Sequence, residues 1–122
     1  MAKILIVDDE ATFIKLAQMR LEANGYKVLT ANDGEEGLEK AESENPDLIL
    51  LDVMMPKMDG HTMLKEVRKN EKIKNMPVIL CSGRGQIKDE KDDLKSGANA
   101  YMSKPIESSV LLSKIEELLK KL

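Results

Sequence analysis

The chain has 122 residues, enough for one domain with its own core and too few for two. With 42% apolar and 34% charged residues it reads as a folded globular chain, and a net charge of −3 with 2% aromatics disfavours a nucleic-acid surface, which needs a basic face or stacking rings. A single cysteine, Cys81, excludes an intrachain disulfide and a cysteine zinc cluster, and the absence of an apolar run of 18 residues or a signal-like N-terminus points to a cytoplasmic protein with no membrane span.

The first apolar run, "KILIVD" (3–8), is a strand that ends in the carboxylates of Asp8, Asp9 and Glu10. Residues 11–24 place Ile14, Ala17 and Leu21 on one helical face, and Gly25 supplies the stop. "YKVLTA" (26–31) is a mixed strand suited to a sheet edge. Asp33 with Glu36 three residues on has the layout of a capping box, and Asn45-Pro46 closes the helix it opens. "DLILLD" (47–52) and "PVILCS" (77–82) are continuous apolar blocks, the pattern of strands covered on both faces in a parallel sheet. Between them, Asp59-Gly60 starts a helix with Met63, Leu64 and Val67 facing inward. A fourth helical stretch, "QIKDEKDDLKSG" (86–97), has only Ile87 and Leu94 as apolar anchors. It should be less firmly packed than its neighbours and, with the loop "SGRGQ" (82–86), form a movable surface. "AYMSK" (100–104) is the fifth strand, and Leu111, Ile115, Leu118 and Leu122 mark a last helix over about 107–121.

Five strands alternating with five helices give an α/β domain, with right-handed crossovers placing helices on both faces of a parallel sheet. In such doubly wound sheets ligands collect beyond the carboxyl ends of the strands. Those ends carry Asp8 and Asp9, Asp52, Ser82 and Lys104. Two like charges about 4 Å apart repel by roughly 4 kcal/mol near a protein surface. Converging carboxylates therefore call for protonation of one of them or for a hard divalent cation. Acids, a hydroxyl and one lysine are a donor set for a magnesium-assisted phosphoryl site. Singly, each has a plainer use: Asp9 as a helix cap, Ser82 as a turn former, Lys104 as solvated surface. It is their shared position at strand ends that argues for chemistry.

From "ILIVDDE" (4–10) through "LILLDVMMPKMDG" (48–60) and "VILCSG" (78–83) to "YMSKP" (101–105), the chain resembles the receiver domains of bacterial two-component response regulators, a family that itself exemplifies the switch-point rule. The resemblance spans essentially the whole chain, 1–122, as one receiver domain. It implies a flavodoxin-like five-stranded sheet of order 2-1-3-4-5. It also implies that Asp52 is the phosphoacceptor, that Asp9, Asp52 and the backbone carbonyl of Met54 bind Mg2+ (with Mn2+ as a substitute), and that Asp8 acts through a coordinated water. Lys104 would pair with the phosphoryl group, Ser82 would hydrogen-bond it, and Tyr101 would be the aromatic that turns inward on switching. The bond between Lys104 and Pro105 would be cis. Implied partners are a sensor histidine kinase or histidine phosphotransfer protein and a downstream protein target. That target would dock on the surface of the fourth helix, fifth strand and fifth helix. A monomer is expected at rest, with phosphorylation-driven dimerisation left open.

Several positions depart from the commonest pattern. Ser82 stands where threonine is frequent, Gly83 where alanine is, and Ile106 where phenylalanine is. Met54 and Arg84 occupy the two positions that modulate loss of the phosphoryl group in the family, and an apolar Met54 predicts slow self-dephosphorylation. The chain ends directly after the last helix, so a stand-alone receiver that catalyses only its own phosphorylation and dephosphorylation is expected. A magnesium-dependent phosphohydrolase would need an acid at position 54, and a degenerate receiver would lack one of the acids or the lysine. His61 reads as surface, Cys81 as core, "KDEKDD" (88–93) as a solvated helix face, and Glu10 as a first-turn acid favouring a helix N-terminus.

Overall fold

The computed structural model describes residues 1–83 and 97–120. Its strands are β1 (Lys3–Val7), β2 (Lys27–Ala31), β3 (Leu48–Asp52), β4 (Val78–Ser82) and β5 (Ala100–Ser103). They form one parallel sheet in the order β2-β1-β3-β4-β5, the order that the family resemblance implies. Among the described residues there are four helices: α1 (Ala11–Ala23), α2 (Gly34–Glu44), α3 (Gly60–Lys69) and α4 (Ser108–Lys120). The helix expected over 86–97 falls outside the described residues, apart from Gly97, as do Arg84 and Leu122.

Strand periodicity of two sorts the central side chains onto two faces. Leu5, Val7, Ile49, Leu51, Val78 and Leu80 pack with Ala41 of α2 and Met63, Leu64 and Val67 of α3. Ile4, Ile6, Leu48, Leu50, Ile79 and Cys81 pack with Ala17 and Leu21 of α1 and Leu111, Ile115 and Leu118 of α4. Both faces of β1, β3 and β4 are therefore dry, which is why those runs are unbroken by polar residues. The mixed run of β2 lies at the edge and leaves Lys27 exposed.

Local signals set the helix ends. Gly25, with φ +89°, turns the chain out of α1 while its N–H donates to the Glu22 carbonyl. Asp33 caps α2 by accepting from the Glu36 N–H at 2.8 Å, and Asn45 ends that helix in the left-handed conformation. The expected reciprocal bond is displaced by one residue. Glu36 Oε1 accepts from the Asn32 N–H at 2.9 Å rather than from that of Asp33, and this bond holds its carboxyl below the usual range. Asp59 caps α3 through the Thr62 N–H at 2.8 Å, and the same bond lowers its pKa.

One contact set that periodicity does not reveal ties α3 to the segments entering β4 and β5. The Arg68 guanidinium donates to the backbone carbonyls of Gly97, Lys74 and Met76 and to Asn99 Oδ1, at 2.7–3.0 Å. Asn99 Oδ1 in turn accepts from the Val78 N–H at 2.9 Å, so one fork joins the entries of β4 and β5. Arg68→Ala is expected to cost about 2 kcal/mol in urea unfolding, since hydrogen bonds to a charged donor are lost and carbonyls are left unsatisfied. Arg68→Lys should recover only part of this, because one ammonium cannot span the same acceptors.

Candidate phosphoacceptor site

The carboxyl ends of β1, β3, β4 and β5 open on one rim, and the backbone fixes what stands there. The Asp8 N–H donates to the Ala31 carbonyl, the Val53 N–H to Cys81 and the Lys104 N–H to Ser82, so sheet pairing extends to the residues that bear the polar groups. Asp8, Asp9 and Asp52 each bring a carboxylate oxygen within 4.8 Å of the others. Asp8 and Asp52 are buried and Asp9 is exposed, which gives an acidic cup with one open side.

Lys104 is the cation of this cup. Its Nζ lies 2.8 Å from Asp8 Oδ2, 3.1 Å from Glu10 Oε1 and 3.5 Å from Asp52 Oδ1, and 4.4 Å from the centroid of the Phe13 ring. Burial works against the ammonium, but its hydrogen bond to Asp8 and the charges of Asp8 and Asp52 outweigh that, and its pKa is raised. The Lys104–Pro105 peptide bond is cis.

Two buried polar atoms remain unsatisfied among the described residues: Asp52 Oδ1 and Ser82 Oγ. An orphaned carboxylate oxygen and hydroxyl are rare in a native interior and mark a place for a further group. Burial, with the Asp8 charge added, pushes the Asp52 carboxyl up to about 6. Burial likewise raises Asp8, against the lowering influence of Lys104. The donors fit a hard divalent cation, since oxygen ligands converge and burial disfavours the charged forms of Asp8 and Asp52, which a cation would relieve.

The loop after β3 is held against the site by Gly60. A Cβ at that position would stand 2.2 Å from the Asp52 carbonyl oxygen and 2.9 Å from the Val53 Cα, so the close approach demands glycine. The Gly60 N–H donates to the Val53 carbonyl at 2.8 Å. Met54 lies in this loop with its side chain exposed. Tyr101 is partly buried on β5 opposite Leu80, against the core cluster beneath α2 and α3.

Of the residues singled out in the sequence, Asp8, Asp9, Asp52, Ser82 and Lys104 thus meet at one rim. Cys81 is core, as expected, and burial raises its thiol well above the ordinary range. His61 is partly buried in the first turn of α3. The sequence reading of Glu10 needs correction. Glu10 is the N-cap residue of α1, its side chain makes no capping bond, and its carboxylate turns to Lys104. Its own N–H donates to Asp8 Oδ1 at 2.8 Å. Phe13, whose ring also meets Lys104, was not singled out in the sequence. Nothing local in the sequence announces either contact with a lysine some ninety positions away.

Comparison with known proteins agrees with this geometry. Residues 4–116 match the family model of the response regulator receiver domain. The chain is 41% identical over 119 residues to the alkaline phosphatase synthesis transcriptional regulatory protein PhoP of Bacillus subtilis strain 168, covering 98% of this chain and 49% of that protein. It is 38% identical over 121 residues to the DNA-binding dual master transcriptional regulator RpaA of Synechocystis, covering 99% of this chain and 50% of the relative. The chain thus spans about half the length of these curated relatives. Among solved structures, the receiver domain of the Francisella response regulator 1452 superposes with a TM-score of 0.91 at 33% identity, covering 99% of this chain and 98% of that one. A CheY-like receiver domain protein from Methanospirillum hungatei gives 0.90 at 35%, covering 99% and 95%. This chain belongs to the response regulator receiver domains, the phosphorylation-dependent modules of two-component signalling.

Proposed function

We propose that Asp52 is the phosphoacceptor and that phosphorylation at this carboxylate is the input that the domain passes on by docking. The observation that carries the reading is the buried Asp52 at the switch point, with Oδ1 unsatisfied and the Lys104 ammonium 3.5 Å away. A carboxylate oxygen of Asp52 attacks phosphorus. A new P–O bond forms as the P–N bond of a phosphohistidine breaks, and the imidazole leaves with the electron pair and takes up a proton. Asp9 and Asp52 would hold Mg2+ (or Mn2+ in its place), with the Met54 backbone carbonyl as a third protein ligand and Asp8 through an intervening water. Bound there, the cation neutralises phosphoryl oxygens and so reduces their repulsion from the acids. Lys104 pairs with the transferred group, and the unsatisfied Ser82 Oγ is a ready donor to it. In this reading Tyr101, on the strand next to Ser82, turns inward when that hydroxyl moves.

The donor would be a sensor histidine kinase or a histidine phosphotransfer protein, the setting the cytoplasm, and the receiver unit spans 1–122 with no chemistry beyond its own phosphorylation and dephosphorylation. Among the described residues no helix is long and apolar enough to cross a membrane.

Acetyl phosphate with Mg2+ tests the reading directly. The expected result is a mass gain of one phosphoryl group that disappears in Asp52→Asn and with chelator. A wild type that gains nothing, or an Asp52→Asn variant that still gains it, overturns the assignment. Self-dephosphorylation should be slow, because the exposed thioether of Met54 cannot orient an attacking water. Met54→Asn should speed the decay of the phosphorylated form several-fold, measured by intact mass after removal of the donor. An unchanged decay rate would remove Met54 as the cause.

A further inference from the structure

We infer that Glu10 tethers Lys104 on the α1 side of the site and so holds the resting domain back from phosphorylation. The inference rests on Asp52 as phosphoacceptor and adds a residue that opposes the reaction. An ammonium has three N–H donors. Two of those of Lys104 are engaged by Asp8 Oδ2 at 2.8 Å and Glu10 Oε1 at 3.1 Å. Asp52 Oδ1, although 3.5 Å from the same nitrogen, accepts no hydrogen bond. The Phe13 ring, 4.4 Å away and on the same helix as the residue capped by Glu10, gives the ammonium an aromatic neighbour on that side. The two hydrogen bonds of the lysine thus go to Asp8 and to Glu10 at the start of α1, while Asp52, the carboxylate it must serve, is left with the longer ion pair.

The position of Glu10 argues for this use. An acid at a helix N-cap ordinarily accepts from the first free N–H groups. Here the cap position makes no side-chain bond to the helix, while the Glu10 backbone is pinned to Asp8 through its N–H. Its side chain is largely exposed and so can let the lysine go cheaply, as a solvent-screened ion pair does. Asp8 is buried and remains a partner of Lys104 throughout. When a phosphoryl group arrives on Asp52, the contact that must be surrendered is therefore the one to Glu10.

The test is a two-residue cycle with Glu10→Gln, Lys104→Met and the double variant. Removing the tether in the wild-type background should raise the rate of phosphoryl uptake from acetyl phosphate two- to fivefold, the range an exposed ion pair supports. Apparent affinity for the phosphoryl mimic beryllofluoride should rise by a similar factor. In the Lys104→Met background, Glu10→Gln should change neither. Equal acceleration with and without Lys104 would mean that the Glu10 charge acts on the anionic donor directly, which overturns the tether. So would no acceleration, or a slowing. A readout independent of phosphorylation is urea unfolding of the chelated proteins, where Glu10 and Lys104 should show favourable coupling. Additive effects there refute the contact. Failure of the phosphoacceptor reading looks different, as a wild type that takes up no phosphoryl group at all.

Discussion

In metal-free protein at pH 7, Asp52→Asn raises the free energy of unfolding by about 3 kcal/mol, and the gain fades as the solution is acidified toward pH 4. The cause is the burial of Asp52, reinforced by Asp8, which lifts its pKa from 3.8 to about 6. Each tenfold change in proton affinity is worth about 1.4 kcal/mol, so the folded state carries roughly 3 kcal/mol of strain from this ionised group. Between those two pH values the folded chain binds the proton more tightly than the unfolded chain does. Stability therefore falls as pH rises through this window, and is lowest, as far as Asp52 contributes, once the carboxyl is fully ionised. Asparagine resembles the protonated acid and carries no such penalty. The difference between wild type and variant, followed by chelator-containing urea titrations from pH 4 to 8, isolates Asp52 from the other acids. A difference that is flat with pH, or of opposite sign, would show that Lys104 already compensates the charge. Adding Mg2+ at pH 7 should stabilise the wild type and leave the variant much less affected, since the cation binds the folded state alone.

This unfavourable arrangement explains why so much of the site was legible beforehand. The buried strands β1, β3 and β4 are continuous apolar runs, so the polar residue that ends each one stands out against its background. Parallel strands place those ends on one rim. Asp8, Asp52 and Ser82 follow from that logic alone, and Lys104 follows because β5 ends beside β4. What was not legible has a common physical origin. Glu10 looked like a helix acid because the local rule for N-terminal charge is usually right, and only a long-range partner pulls its carboxylate elsewhere. The Arg68 fork is similarly invisible, because three of its acceptors are backbone carbonyls, which carry no side-chain signature, and the fourth, Asn99 Oδ1, is distant in sequence. Asp33 and Asp59 were legible as caps since a cap needs only residues three apart.

Gly60→Ala should destabilise the domain by about 3 kcal/mol and slow phosphoryl uptake on the order of 100-fold, the two effects having one cause. Glycine is needed here for space and not for an unusual backbone angle. Its Cβ would fall 2.2 Å from the Asp52 carbonyl oxygen and close to the Val53 Cα, and both are backbone atoms that no rotamer change can move. Either α3 retreats, breaking the Gly60 N–H bond to the Val53 carbonyl, or the end of β3 shifts. Retreat of α3 disturbs Met63, Leu64 and Val67, which are fully buried, and appears as lost stability. A shift of β3 moves the Asp52 carboxylate relative to Asp8 and Lys104, whose distances the reaction depends on, and appears as lost rate. Comparing Gly60→Ala with Arg68→Ala separates the two. Both loosen α3, but among the described residues the hydrogen bonds of Arg68 lie at the entries of β4 and β5 and not at the rim. Arg68→Ala should therefore lose stability with uptake from acetyl phosphate nearly intact, while Gly60→Ala loses both. If the two variants lost rate in proportion to stability, general loosening would account for the effect and the close approach of Gly60 would have no special part in positioning Asp52.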